Sequence, residues 1–336
     1  MWHPCCAPLV IAGYRSTSNI TTRAFNCHGG WTADHGANVS CACVDNYGNV
    51  YTGGAETSSY SYTTRKYNKD GDLQWSHAHG ATVSDICVDI SGNVVTVAGN
   101  RIRYLSSAGT EQWSVNDTDP VRYWSSCAFD ASGNVYIGGR IRLLTGMLRK
   151  YNSLGTEQWE VDSSASVNFS GITFLCIAVG PSGNFYVGSA QVSPSANEQI
   201  SKWDSSGNEV TTENWPVAVG YCRALVCSPS EDVYTSYESV GTNHKQQKFN
   251  SAGTEQWSFD LAGDAYSTLT PRIGVDNSGQ LYHQDWTHSE IGVSSGIIDR
   301  RKADGSGDTL GHWFDNEGQA AHGICWGPGL TVPFRL

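Results

Sequence analysis

The chain has 336 residues, a formal net charge of −11 and 16% charged side chains, where an average globular protein has about 25%. The acidic balance argues against a broad phosphate-binding face, so nucleic acid is not an expected partner. No apolar run is long enough to cross a membrane as a helix.

The N-terminal segment, residues 1–6, lacks the basic start and the apolar core of a secretory signal peptide. Residues 9–12 are too short for such a core and are predicted to form a strand. We therefore expect the protein to be made in the cytoplasm. The eleven Cys are an odd number without a small-domain disulfide pattern, and we expect them to be reduced packing residues.

Two short motifs recur along the chain. The first has the form Asp-x-x-Gly-Asn-Val-Tyr, in which Gly provides the positive φ of a tight turn between two strands. It begins at Asp45, Asp89 and Asp130, and in more divergent form at Gly180, Ser228 and Asp276. The second, Tyr-Asn-x-x-Gly-Thr-Glu-Gln-Trp, occupies residues 151–159, returns with Phe at its start at 249–257, and is shortened to 109–113. It predicts a β-hairpin.

Together the motifs predict four strands per repeat unit. Strand a precedes the Asp, strand b follows the Gly-Asn turn, strand c ends at Tyr-Asn, and strand d carries the Trp. Seven Trp mark the units: Trp31, Trp75, Trp113, Trp159, Trp215, Trp257 and Trp313. Their spacing is near the roughly 40–50 residues of a propeller blade, so we expect the Trp column to pack between neighbouring sheets.

The two ends of the chain are predicted to share one blade. The first unit has strand b at residues 9–13, strand c at 22–26 and strand d at Trp31, but no strand a. Residues 322–326 have the pattern of the missing strand, and their pairing with residues 9–13 would close the ring without an open sheet edge. The sequence thus predicts an all-β, seven-bladed β-propeller of four-stranded antiparallel blades, as a single domain over residues 1–336.

The element Val-Asp-x-x-Gly-Asn-Val-Tyr, followed by Tyr-Asn-x-x-Gly-Thr-x-x-Trp, resembles the repeat of bacterial and phage seven-bladed β-propellers, which is related to quinoprotein-like repeats. The resemblance covers nearly the whole chain. It implies the propeller fold and membership of a group that includes surface proteins, sensors and virion proteins. The pattern departs at Trp203-Asp204 and Arg301-Lys302, so the blades of Trp215 and Trp313 are expected to be irregular.

This topology assigns different roles to the two faces of the propeller. The a–b and c–d turns form one face, the constant face, and are short and nearly identical. The b–c and d–a connections form the other, the variable-loop face, where recognition is expected. Aromatic side chains with Ser and Gly suit protein or carbohydrate contact. The predicted binding residues are Tyr60, Tyr62, Tyr123, Trp124, Phe169, Tyr237, Tyr266, Trp286 and His288.

Two sets of residues were considered as metal ligands. Cys5, Cys6, Cys27 and His28 lie in two turns of the same blade, where zinc binding, a disulfide or simple thiol packing remain alternatives. His35, His79 and His322 occupy matching positions near the expected channel mouth. Because the first set matches no standard zinc spacing and repeats duplicate loop residues, we expect neither metal nor cofactor.

Signatures of catalysis are missing from the sequence. The segment 292–296 is not a nucleophile elbow, and no P-loop, His-Glu-x-x-His or dinucleotide fingerprint occurs. We therefore expect a non-enzymatic structural or interaction module whose partners are other protein subunits, with a phage virion component, in capsid or tail, as the favoured identity. The alternatives are a carbohydrate- or receptor-binding adhesin and a propeller hydrolase or lyase.

Overall fold

Every regular element that the structure describes is a β-strand, which confirms the all-β prediction. The structure is a computed structural model, and it describes residues 9–15, 20–26, 29–34, 39–55, 62–119, 121–141, 145–162, 173–190, 200–210, 215, 220–239, 244–261, 273–275, 279–288, 294–302, 304–312 and 323–326. In this part of the chain, no helix is long and apolar enough to cross a membrane.

The first four blades are antiparallel sheets with the predicted strand order. Blade 1 contains β1 (Leu9–Arg15), β2 (Ile20–Asn26) and β3 (Gly29–Asp34), and it is completed by the last strand of the chain. Blade 2 contains β4 (Val39–Val44), β5 (Val50–Ala55), β6 (Tyr62–Tyr67) and β7 (Leu73–Ala78). Blade 3 contains β8 (Asp85–Val88), β9 (Val94–Ala98), β10 (Arg101–Leu105) and β11 (Glu111–Asn116). Blade 4 contains β12 (Arg122–Phe129), β13 (Val135–Ile141), β14 (Thr145–Tyr151) and β15 (Glu157–Asp162).

Of the two blades that the sequence predicts to be irregular, blade 5 is irregular, whereas blade 7 is a four-stranded antiparallel sheet. Blade 5 contains β16 (Thr173–Val179), β17 (Phe185–Ala190) and β18 (Ile200–Trp203), and an isolated bridge from Trp203 to Glu209 stands at the place of strand d. Blade 6 contains β19 (Gly220–Cys227), β20 (Val233–Ser239), β21 (His244–Phe249) and β22 (Glu255–Leu261). Blade 7 contains β23 (Ile273–Val275), β24 (Leu281–His288), β25 (Ser294–Arg301) and β26 (Gly307–His312), and β27 (Gly323–Trp326) follows. One residue pair, Ala190 with Tyr221, links blades 5 and 6.

The innermost strands form a closed ring. In the described part of the chain, β27, β4, β8, β12, β16, β19 and β23 each contact the next, and β23 contacts β27 again. β27 pairs antiparallel with β1, from Leu9 opposite Trp326 to Ala12 opposite Gly323. The predicted closure of the ring by the two ends of the chain is therefore confirmed, and the seven groups of strands are consistent with seven blades.

The recurrent Asp of the first motif holds its own turn together. Asp45 Oδ1 accepts hydrogen bonds from the amides of Tyr47 and Asn49, at 2.9 Å each, and its Oδ2 accepts one from the Tyr51 hydroxyl at 2.9 Å. Asp89 and Asp130 accept the equivalent amide bonds in their own turns. These carboxylates are used within the fold, so the motif is structural.

The second motif joins neighbouring blades. The indole N–H of a Trp in strand d donates to a carbonyl oxygen in the c–d turn of the next blade. The bonds run from Trp75 to Ser107 (3.1 Å), from Trp113 to Ser153 (3.1 Å) and from Trp159 to Ser205 (3.2 Å). The turn glycine lies on the Trp ring: Gly155 has φ +81°, and a Cβ there would come within 2.7 Å of Trp113. We call each such contact a blade joint, and it confirms the predicted packing role for these Trp.

Candidate binding surface

The variable-loop face is described most fully between blades 3 and 4. Residues 79–84, 99–100 and 116–119 meet there with the ends of β12 and β13. The Trp124 amide donates to the Gly99 carbonyl at 2.8 Å, and the Asn100 side chain donates to the Asp117 carbonyl at 2.6 Å. These bonds fix the connection after β11 against the turn between β9 and β10, so this part of the face is held by blades on both sides.

Tyr123 is the predicted binding residue that the structure places at this surface. Its side chain is 41% exposed, although it lies in β12 and not in a loop. The Tyr123 hydroxyl is 3.0 Å from Ser84 Oγ, at the end of the connection that precedes β8. Because both ends of the side chain are fixed, the ring is presented at the surface in one orientation.

Arg140 lies beside Tyr123 and is not among the binding residues predicted from the sequence. The two residues are directly opposite each other in the β12–β13 pairing, and the Arg140 guanidinium lies 5.4 Å from the centre of the Tyr123 ring. Such a stack is a cation–π contact. Arg140 therefore belongs to the surface that Tyr123 marks, and only the strand register shows it.

Trp124 is not a surface residue, contrary to the prediction. Its side chain is fully buried in the core between blades 3 and 4. A β-bulge between Trp124 and Ser126 interrupts the alternation of β12, so Trp124 turns inward. Gly139 allows the close approach of this part of β12, since a Cβ there would lie 2.2 Å from the Tyr123 carbonyl oxygen and 3.0 Å from the Trp124 ring.

A partly buried ion-pair network lies near the same surface. Arg149, 5.0 Å from the Trp124 ring centre, pairs with Asp117 at 3.0 Å and with Glu160. Arg122 contacts the same two carboxylates, at 3.3 Å and 3.0 Å. Burial raises the pKa of Asp117, and the attraction of Arg149 opposes that rise. The network links strand d of blade 3 to blade 4 and leaves these two guanidinium groups neutralised.

His79 lies beneath the variable-loop face, where blade 2 packs against blade 3. It is 1% exposed, and its Nε2 is 2.7 Å from Thr64 Oγ1. Burial, reinforced by nearby His77 and Arg103, lowers the pKa of His79 to about 3. A neutral imidazole enclosed in this way is a packing residue. His35 and His322, which the sequence places at matching positions, lie outside the described residues.

The remaining predicted residues fall into two groups. The backbones of Tyr62, Tyr237, Trp286 and His288 lie in strands β6, β20 and β24 at their variable-loop ends, and the structure does not describe their side chains. For all four, this corrects the prediction that they lie in loops. Tyr60, Phe169, Tyr266, Cys5, Cys6, Cys27 and His28 lie outside the described residues.

In the part of the chain that the structure describes, no group of three or more His, Cys, Asp or Glu could hold a metal ion. The Tyr123–Arg140 pair offers a ligand an aromatic face and guanidinium N–H donors.

Comparisons with known proteins identify the fold. No family model matches the chain, and no curated protein matches it either. A protein of unknown function from Bacteroides caccae is 13% identical, with a TM-score of 0.55, over 83% of this chain and 98% of that one. Kuenenia stuttgartiensis hydrazine synthase is 11% identical, with a TM-score of 0.59, over 78% of this chain and 76% of that one.

A chain of the mitotic checkpoint complex is also similar. It is 11% identical, with a TM-score of 0.58, and the match covers 92% of both chains. At such low identity these likenesses show the fold alone, which is that of the β-propellers. The finer assignment to the bacterial and phage repeat family stays a prediction.

Proposed function

We propose that this protein is an interaction module that binds a protein partner through its variable-loop face. The propeller fold fits such a module. The observation that carries the proposal is Tyr123, a 41% exposed aromatic side chain fixed by Ser84 and Arg140 at the ends of two rigid strands. Tyr and Arg are enriched among the residues that contribute most to protein–protein affinity.

The constant face is the competing surface, and it supports the proposal less well. Tyr47, Ile90 and Leu154 are exposed there by 72%, 69% and 82%, each at the tip of a different turn. Single exposed apolar residues are ordinary on protein surfaces. The polar groups of these turns are engaged with their own backbone, as in the Asp45 turn.

The expected partner is another subunit of a larger assembly. One chain of similar fold comes from a multi-protein complex, the mitotic checkpoint complex. A phage virion is a finer proposal that rests on the sequence alone. Glycan binding and enzymatic activity are kept as alternatives, and one similar structure, hydrazine synthase, is an enzyme by name.

Site-specific photo-crosslinking tests the proposal. A photoreactive amino acid replaces Thr82 or Thr118, exposed on the variable-loop face, or Ser91 or Ala252, exposed on the constant face. The four variants are irradiated in the organism that makes the protein, and the products are identified by mass spectrometry. We expect a protein adduct from Thr82 or Thr118 and none from Ser91 or Ala252. Protein adducts from the constant face only, or from no position, would refute the proposal.

A further inference from the structure

Two arginine–aromatic stacks lie side by side on β12. Trp124 and Tyr123 are adjacent in the chain, and each lies under a guanidinium from the same blade, Arg149 at 5.0 Å and Arg140 at 5.4 Å. One stack is in the core and the other is at the surface, with Tyr123 41% exposed. The groups around the buried stack can therefore be compared with those around the surface stack.

The two guanidinium groups differ in their charge partners. Arg149 is within ion-pair distance of Asp117, Glu157 and Glu160. Arg140 contacts the Tyr123 ring, and among the described residues it pairs with no carboxylate. Within the described residues, the surface stack thus lacks the acidic partner that the buried stack has.

The geometry of the surface stack suits a carboxylate. A guanidinium held over a ring keeps its N–H donors at its edge, where they match the two oxygens of a carboxylate. The Tyr123 hydroxyl is held by Ser84 Oγ at 3.0 Å, which limits movement of the ring beneath. Because both side chains are ordered before binding, less conformational entropy is lost when a ligand docks.

The net charge of the chain also bears on which partners can bind at this site. The net charge of −11 disfavours the approach of acidic partners at long range. A guanidinium without an internal carboxylate partner is a place where an acidic side chain gains attraction. Charge complementarity of this local kind contributes to specificity.

We propose that Arg140, stacked on Tyr123, receives an Asp or Glu side chain of the protein partner. This inference rests on the proposed function and names the chemistry of the partner at this point. The partner segment is acidic at the docking residue, and it approaches the variable-loop face between blades 3 and 4.

Selection from a displayed random-peptide library tests the inference on the full chain. Wild type, Arg140→Gln and Tyr123→Leu are panned in parallel, and the frequency of Asp and Glu in the enriched peptides is measured. We expect enrichment of acidic residues on wild type and its loss on Arg140→Gln. For selected peptides, synthesised with acetylated and amidated ends, affinity should fall on the order of tenfold on Arg140→Gln. Tyr123→Leu should weaken binding while the charge is retained.

Lys69→Gln is the matched control. It removes one positive charge from the constant face, where Lys69 is 59% exposed and pairs with Asp70 at 2.8 Å. Its enriched peptides should match those of wild type, and thermal unfolding should show that all variants are folded. No acidic enrichment, equal enrichment on Arg140→Gln, equal loss on Lys69→Gln, or dependence on a free peptide C-terminus would each overturn the inference. Crosslinks from Thr82 or Thr118 in such a case would leave the proposed function standing.

Discussion

His79 connects the variable-loop face to the stability of the protein. Its imidazole is buried against Thr64, and burial lowers its pKa to about 3 from the ordinary 6.5. In the unfolded chain this side chain takes up a proton near pH 6.5, whereas in the folded chain it stays neutral down to about pH 3. Stability from this residue is therefore complete at neutral pH and is lost as the pH falls through that window.

We predict that wild type loses about 2 kcal/mol of unfolding free energy through His79 between pH 7 and pH 5, since each pH unit below 6.5 costs about 1.4 kcal/mol. Urea unfolding at the two pH values measures the loss. The Gln side chain of His79→Gln does not titrate, so between pH 7 and pH 5 this variant should lose about 2 kcal/mol less unfolding free energy than wild type. An equally steep loss in His79→Gln would show that other groups cause the pH dependence.

The turns of blades 5 and 6 show how one structural element compensates for another. Blade 5 has Gly180 where blades 2, 3 and 4 have the turn Asp. Glu231 of blade 6 accepts hydrogen bonds from Ser182 Oγ and Asn184 Nδ2 in that turn. A Cβ at Gly180 would lie 3.1 Å from Glu231 Oε1, so the missing Asp side chain leaves the space that Glu231 occupies.

This arrangement requires an unfavourable backbone conformation. Glu231 has φ +65°, and it is the one non-glycine residue with positive φ among the residues described. The corresponding position is Gly in blades 2 to 5. A left-handed conformation costs a non-glycine residue about 1–2 kcal/mol, which the bonds of the Glu231 carboxylate to blade 5 offset.

We predict that Gly180→Asp and Glu231→Gly are coupled. Gly180→Asp alone should destabilise, because the new carboxylate crowds and repels Glu231. Glu231→Gly alone relieves the backbone but leaves the blade 5 turn without a carboxylate. In the double variant, blade 5 has the Asp-x-x-Gly turn of blades 2 to 4, and blade 6 has their Gly at position 231. It should therefore be more stable than the sum of the single effects by at least about 1 kcal/mol.

Urea unfolding of the four proteins measures this coupling. Ser230→Ala alters the same turn of blade 6 without removing the Glu231 carboxylate, and it serves as the control partner for Gly180→Asp. Additivity within about 0.5 kcal/mol for Gly180→Asp with Glu231→Gly, or equal coupling with Ser230→Ala, would contradict the compensation.

Strands and turns also show which features of the fold the sequence could predict. Strand pairs and turns were predictable because Asp, Gly and Asn form turns with residues close to them in the chain, and the spacing of these turns is visible in the sequence. The strand ends at the variable-loop face were not, because a bulge such as that after Trp124 shifts the alternation by one residue. Arg140 was missed for a related reason: its place beside Tyr123 depends on the register of β12 with β13.

At the scale of the whole molecule, the pairing of β27 with β1 closes the ring. Four residue pairs form this contact, and Ile324 lies opposite Ile11. β27 also contacts both β4 and β23. The C-terminal strand thus completes blade 1 and also contacts the inner strands on both sides of it.

We predict that proline in β27 opens this closure. In an antiparallel pair, alternate residues of a strand donate to the neighbouring strand, so either Ile324→Pro or Cys325→Pro must remove a bond to β1. The more severe of the two should lower the unfolding free energy, measured in urea, by about 1–3 kcal/mol, the cost of a buried backbone group left without its hydrogen bond. Ile324→Val keeps the N–H and nearly the same volume. If both proline variants have the same unfolding free energy as Ile324→Val, the pairing of β27 with β1 does not stabilise the ring.

The blade joints bear on how the gene can change. Each joint takes its Trp from one repeat and its turn from the next, as with Trp113 and Ser153. A mutation in one repeat therefore weakens its contact with the next repeat. This constraint favours the same sequence at the joint in successive repeats. In the part of the chain that the structure describes, the connections on the opposite face take part in no such joint. They are free to diverge from copy to copy, so new binding specificity can evolve there without loss of the scaffold.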